Sequence, residues 1–295
     1  MAVRGDQKHR PASQVRLFVG IGLLAALAVE LGDATDARSG ASGSRGFSSP
    51  AVALARDTRD VGQLPARTDP TRLLETALAR CRLSVADYVG TLIKQERIAG
   101  ELGPRQRILV KFRREPFSVL LHWVENPKDA RRVLYVQGER VDKQGREMAL
   151  VQPEGPIARL LFPVLTIPIH GAGAHTMSRL TIDQFGFENG LALILKYARL
   201  ASDKGSPTLR YTGVGTVGER ATHVVERRLP YEDAKTTYPD RTLIVHLDRE
   251  RLVPLAIHCY ADDTKQELLA SYVFSDVQLN VGLTDEDFLP KGNGF

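Results

Sequence analysis

Leu73, Leu74, Ala77, Leu78 and Cys81 recur at three- and four-residue spacing, which puts them on one face of a helix. Thr68 and Asp69 offer a polar cap and Pro70 suits a first turn, so the helix is predicted to start there and to end near Leu83. Past it the period shortens to two. In 106–114, Ile108, Val110 and Phe112 face one way and Arg107, Lys111 and Arg113 the other. In 118–124, Val119, Leu121 and Trp123 share a face, while Leu120 and Val124 make the opposite face partly apolar. Residues 88–98 are rich in β-formers; 133–137 and 140–143 read as a hairpin around Gly138-Glu139; 148–152 reads as one more strand. Later strands are predicted over 208–217, 223–229, 242–248, 254–260 and 267–274. Short strands with turns between them indicate one large antiparallel sheet, with a meander as its default topology.

The middle of the chain breaks this rhythm. Residues 155–169 (GPIARLLFPVLTIPI) are apolar and interrupted by Pro163 and Pro168. Residues 189–202 then read as a helix containing LALIL, apolar nearly all round, with Gly205 as its stop. Such a helix must be covered on most sides, and a sheet curved around it would do so. The fold class is therefore α+β: a strongly curved, unclosed antiparallel sheet, a half-barrel meander, wrapped around helices.

Ahead of this domain, Arg4, Lys8, Arg10 and Arg16 precede thirteen uncharged, mostly apolar residues, Leu17 to Val29, and then Ala34 and Ala37 among small residues. A basic region, a short apolar core and a small-residue exit predict a secretory signal peptide over 1–37. The core would span about 20 Å as a helix, short of a hydrocarbon layer of about 30 Å. The first cysteine is Cys81, so no lipid-anchoring Cys follows the apolar core. The Ser/Gly-rich stretch RSGASGSRGFSSP opens a linker over 38–68, and the folded domain is expected over 69–291. The expected location is the periplasm or cell envelope, soluble after signal cleavage.

Charge and motifs narrow the function. The net charge of +5 is spread thinly, with no dense Lys/Arg run, which argues against nucleic acid and allows at most transient membrane contact. Gly213, Gly215 and Gly218 spell G-x-G-x-x-G, but a strand follows where a dinucleotide site needs a helix, so they are read as a hairpin or bulge. No G-x-S-x-G elbow and no P-loop occurs. His122, His246 and His258 lie on predicted strands and are read as polar-face residues rather than a metal site; His170 and His175 flank a glycine-rich loop. Glu96 and Glu115, the acids nearest apolar strands, are expected to pair with arginines. The chain is thus read as a non-enzyme, with no cofactor and no metal. Cys81 and Cys259 are the only cysteines. Export makes them a candidate disulfide worth roughly 4–5 kcal/mol, with a free buried thiol at Cys81 as the alternative.

Several segments carry a resemblance. They are Tyr88-Val-Gly90 with Glu96-Arg97, Arg114-Glu115-Pro116-Phe117-Ser118-Val119, Asn126-Pro127, Arg132-Val-Leu-Tyr135 with Gly138, Gly186 before the second long helix, and Asp287-Phe288-Leu-Pro290. Over about residues 70–291 the chain resembles a bacterial domain-of-unknown-function family of the LolA/LolB/LppX-like, outer-membrane lipoprotein carrier-like superfamily. The resemblance implies an unclosed curved sheet around helices with an apolar cavity between them; no catalytic residue comes with it. On this reading the protein binds an apolar small molecule or the acyl chain of a lipid or lipoprotein. The candidate lining is Leu92, Val110, Phe112, Val119, Leu121, Trp123, Val245 and Ile257. The alternative is an envelope protein–protein interaction module with a filled core, no ligand and a protein partner. A cavity of several hundred Å³ separates the two.

Overall fold

The computed structural model describes residues 69–171, 178–205, 208–233 and 237–295. The expected signal peptide and linker lie outside them. Helix α1 (Pro70–Ser84) starts as its sequence demands: the Asp69 carboxylate accepts from the backbone N–H of Thr71 at 2.8 Å and of Arg72 at 3.3 Å, and Pro70 occupies the first turn. Its apolar stripe of Leu73, Leu74, Ala77 and Cys81 is buried.

Strands β1 (Asp87–Ile98), β2 (Glu101–Leu102), β3 (Gln106–Arg113), β4 (Ser118–Glu125), β5 (Ala130–Val136) and β6 (Met148–Pro153) follow. Then come helix α2 (Pro156–Leu161), β7 (Leu165–Pro168) and helix α3 (Phe187–Ser202). Strands β8 (Leu209–Val217), β9 (Arg220–Arg228), β10 (Thr242–Asp248), β11 (Pro254–Tyr260) and β12 (Leu268–Leu279) complete the sheet, and 3₁₀ turns at Asp285–Phe288 and Lys291–Asn293 end the chain. The order is β7-β6-β5-β4-β3-β1-β12-β11-β10-β9-β8, antiparallel throughout, with β2 folded back on β1. Successive hairpins flank a central β1–β12 pair, so the meander is interrupted once, where first and last long strands meet.

The sheet is unclosed and curved. Strands β6 and β10 stand seven places apart in this order, about 33 Å in a flat sheet, yet both line one cavity. Helix α3 lies inside the curve. Its Phe187, Leu191, Ile194, Leu195, Ala198 and Ala201 are buried, and α1 covers it, joined by Arg82–Glu188 at 2.9 Å and Arg199–Glu75 at 2.7 Å. The start of α3 is set by packing: Gly186 has φ +109°, and a Cβ there would lie 2.8 Å from Phe112 Cε2. The apolar outer face of β4 has its own cover. Leu120, Leu134 and Leu150 pack beneath Phe288, with Phe295 against the same cluster, so the fold continues past residue 291.

Two expectations need correction, and a third is met. Residues 140–143 are not a strand; only a Val141–Glu147 bridge forms, around a turn in which the Asp142 carboxylate accepts from the N–H of Gln144 and Arg146. Residues 155–169, read as an irregular apolar run, resolve into α2 and the edge strand β7; Ile157, Leu160, Leu161 and Phe162 are exposed there. Gly213 and Gly218 do shape a hairpin: Gly213 (φ +116°) sits at the register shift of the β8–β9 ladder and Gly218 (φ +55°) in its turn.

Candidate ligand cavity

Alternation sends every second side chain of each strand inward. Because α3 does not fill the curve, these side chains enclose a cavity of about 320 Å³, within the range of small-molecule sites. Every strand except β8 contributes to its wall, as do α3 and the segment 178–186. Ile108, Leu121, Trp123 and Val151 form one side, Ile257 and Phe274 the other, and Leu193 and Ile194 of α3 the roof.

Four of the eight candidate residues, Leu92, Leu121, Trp123 and Ile257, meet at this wall. The other four do not line it. Val110, Phe112, Val119 and Val245 are buried in the core. For Phe112 the cause is visible: its ring stacks on Tyr88 at 4.8 Å, Tyr88 stacks on Phe187 at 4.3 Å, and this aromatic pile occupies the sheet where α3 begins. Periodicity finds the inward face but not how far along it a helix lies.

The wall is not wholly apolar. Lys94 and Glu96 share the inward phase of Leu92 and Ile98 on β1. Lys94 Nζ lies 3.0 Å from Glu96 Oε2, and Glu96 Oε1 accepts from the Tyr272 hydroxyl at 2.6 Å and from Ser178 Oγ at 3.2 Å. Glu96 therefore pairs with a lysine rather than with the expected arginine. Burial, and then the Glu96 charge, push the Tyr272 hydroxyl well above its ordinary range, so it stays a donor. On the far flank Arg227 of β9, 1% exposed, grips both Asp240 oxygens at 2.9 and 2.8 Å and donates to the Ile194 carbonyl at 3.2 Å. This fork fastens α3 to the sheet.

The two cysteines are free and buried, not bridged. Cys81 packs from α1 into the core, whereas Cys259 on β11 lines the cavity. Burial raises both thiols, Cys81 to about 12, so neither is a reactive thiolate. His246 and His258 lie ring to ring at 6.1 Å on the face turned away from Val245 and Ile257; His122 stands on β4, several strands away. His170 Nε2 meets Asp183 Oδ2 at 3.3 Å, a pairing that sequence distance concealed, and His175 lies outside the described residues.

Sequence reasoning passed over Lys94, Arg179, Arg227 and Asp240 and took Glu96 only as an ion-pair partner, yet all five lie on the cavity wall. A signal existed for three of them. Lys94 and Glu96 fall on the apolar phase of β1, and Arg227 on the phase of Val225; a charge on the inward phase must be paired or functional.

Among solved structures the chain is similar to an uncharacterised conserved protein from Thermus thermophilus (11% identity, 72% of this chain and 91% of that one, TM-score 0.41). It is also similar to a putative outer membrane lipoprotein-sorting protein domain from Vibrio parahaemolyticus (15%, 77% and 98%, TM-score 0.37) and to the Mycobacterium tuberculosis lipoprotein LppX (12%, 71% and 98%, TM-score 0.35). No curated protein matches. The family model described as "Protein of unknown function (DUF1571)" matches residues 85–294, and the chain belongs to that family.

Proposed function

We propose that this is an exported, non-catalytic envelope protein that holds an apolar ligand, the acyl chain of a lipid or lipoprotein, between its curved sheet and α3. The observation that carries the reading is the cavity: about 320 Å³ bounded mostly by aliphatic and aromatic side chains. Protein interiors pack to near-crystalline density, and unfilled apolar volume costs stability, so an interaction module gains nothing from keeping such a space. An acyl chain gains about 0.8 kcal/mol per CH₂ buried. Leu92, Leu121, Trp123 and Ile257 are the contact residues proposed from the candidate set. Export rests on the 1–37 segment, and the carrier-like resemblance of the sequence agrees with both.

The test is mass spectrometry of organic extracts from protein purified from the producing cell. An acyl-chain lipid is expected at near-stoichiometric amount, together with a thermal shift on adding fatty acid to delipidated protein. Leu121→Arg should abolish that shift, because an unpaired charge on the wall is costly. No co-purifying lipid and no shift with any acyl compound would reject the reading in favour of a protein-interaction module.

A further inference from the structure

A second, shallower and more open hollow of about 340 Å³ adjoins the first; Ile98, Ser178, Arg179, Tyr197 and Pro239 line both. The chemistry changes at this junction. Among the described residues the second chamber presents Arg97, Arg179, Tyr231 and Thr237 and no carboxylate. Two charged pairs of the apolar wall are matched internally, Lys94 with Glu96 and Arg227 with Asp240, and Glu101, Lys128 and Asp129 also line it. Arg179 is not so matched: its Nη2 donates to the Pro239 carbonyl at 2.7 Å, and among the described residues no carboxylate pairs with it. Arg97 in the same chamber donates to the carbonyls of Leu268 and Gly100, with Glu267 only at 3.9 Å. Two guanidinium groups in a polar hollow, one of them with no carboxylate partner among the described residues, at the mouth of an apolar chamber, suit an oxyanion.

We propose that the two chambers form one site for an anionic amphiphile: the acyl tail lies along the apolar wall and a carboxylate or phosphate head sits on Arg179, with Arg97 as the second cation. This rests on the acyl-binding reading above and adds the head group to it. A charge-assisted contact to a guanidinium corresponds to roughly ten- to a hundredfold in affinity.

The experiment is calorimetric titration of delipidated full-length protein with palmitate, hexadecyl phosphate and 1-hexadecanol, each below its aggregation concentration. Palmitate or the phosphate is expected to bind about ten- to a hundredfold tighter than the alcohol, and whichever is tighter identifies the head chemistry. Arg179→Gln should bring the acid and the alcohol within about threefold of each other, and Arg179→Lys should restore part of the gap. Equal affinity of wild type for acid and alcohol, or a preference that survives in Arg179→Gln, overturns the head-group assignment while leaving acyl binding intact. The wild-type comparison decides even where the variant does not fold. Binding of none of the three compounds overturns the acyl-binding reading as well.

Discussion

Removing the Arg227 guanidinium should cost far more than removing a surface charge. Arg227 and Asp240 are each 2% exposed at the side chain, and the pair makes two N–H···O bonds of 2.9 and 2.8 Å. Arg227 also donates to the Ile194 carbonyl and lies 5.8 Å from the Tyr197 ring. Arg227→Met keeps most of the apolar stem but leaves the Asp240 carboxylate buried without a counter-ion, which costs about 3–5 kcal/mol. Asp240→Leu strands the guanidinium at a similar cost. The double variant buries no charge and is expected within about 1 kcal/mol of wild type, or above it. Urea unfolding of the four proteins closes the cycle. If the two losses simply add, or if Arg227→Met loses under about 1 kcal/mol, the fork does not hold α3 to the sheet.

Gly186→Ala should destabilise by about 1–3 kcal/mol, because φ +109° is strained for any Cβ and that Cβ meets Phe112 at 2.8 Å. At about 2–4 °C per kcal/mol for a domain of this size, a thermal melt resolves it, and an unchanged Tm would reject the argument. Acid should also destabilise the protein. Burial holds His246 and His258 below the usual 6.5, with the His246 charge adding to the effect on His258. Unfolding releases both to 6.5, so the unfolded chain takes up more protons: their contribution is complete above about pH 6.5 and is lost as pH falls through the depressed native values. The urea midpoint of wild type should drop more between pH 7 and 5 than that of His246→Gln/His258→Gln; an equal drop would show that other groups titrate.

The strands were legible because alternation along β3, β4, β10 and β11 is a local property, and α1 because its cap and stripe lie within one segment. The β1–β12 pairing was not legible: nothing in either strand names its partner, and the 3₁₀ turn that delivers Phe288 onto Leu120 belongs to a different stretch of chain altogether. The cavity was half legible for the same reason. Leu121 and Trp123 line it while Val119, on the same strand and phase, is buried, and that difference is set by what packs over each residue. The polar chamber was hidden further still. Arg97, Arg179 and Tyr231 come from three distant segments, and each alone reads as an ordinary surface residue.

The sheet order also dictates how the chain must assemble. Strands β3 to β7 hang from β1 as successive hairpins, and β8 to β11 run up to β12 in the same way. Such hairpins close within microseconds. The seam between the halves pairs Tyr88 with Leu279, and its loop-closure entropy is paid before any contact rewards it. Until β12 emerges, the first half exposes the whole edge of β1, with Leu92 and Ile93 along it. A bare strand edge recruits other chains. A chain ending before Leu268 is therefore not a smaller domain but two unjoined half-sheets prone to aggregate. Folding of the whole sheet therefore waits on the arrival of its last strand.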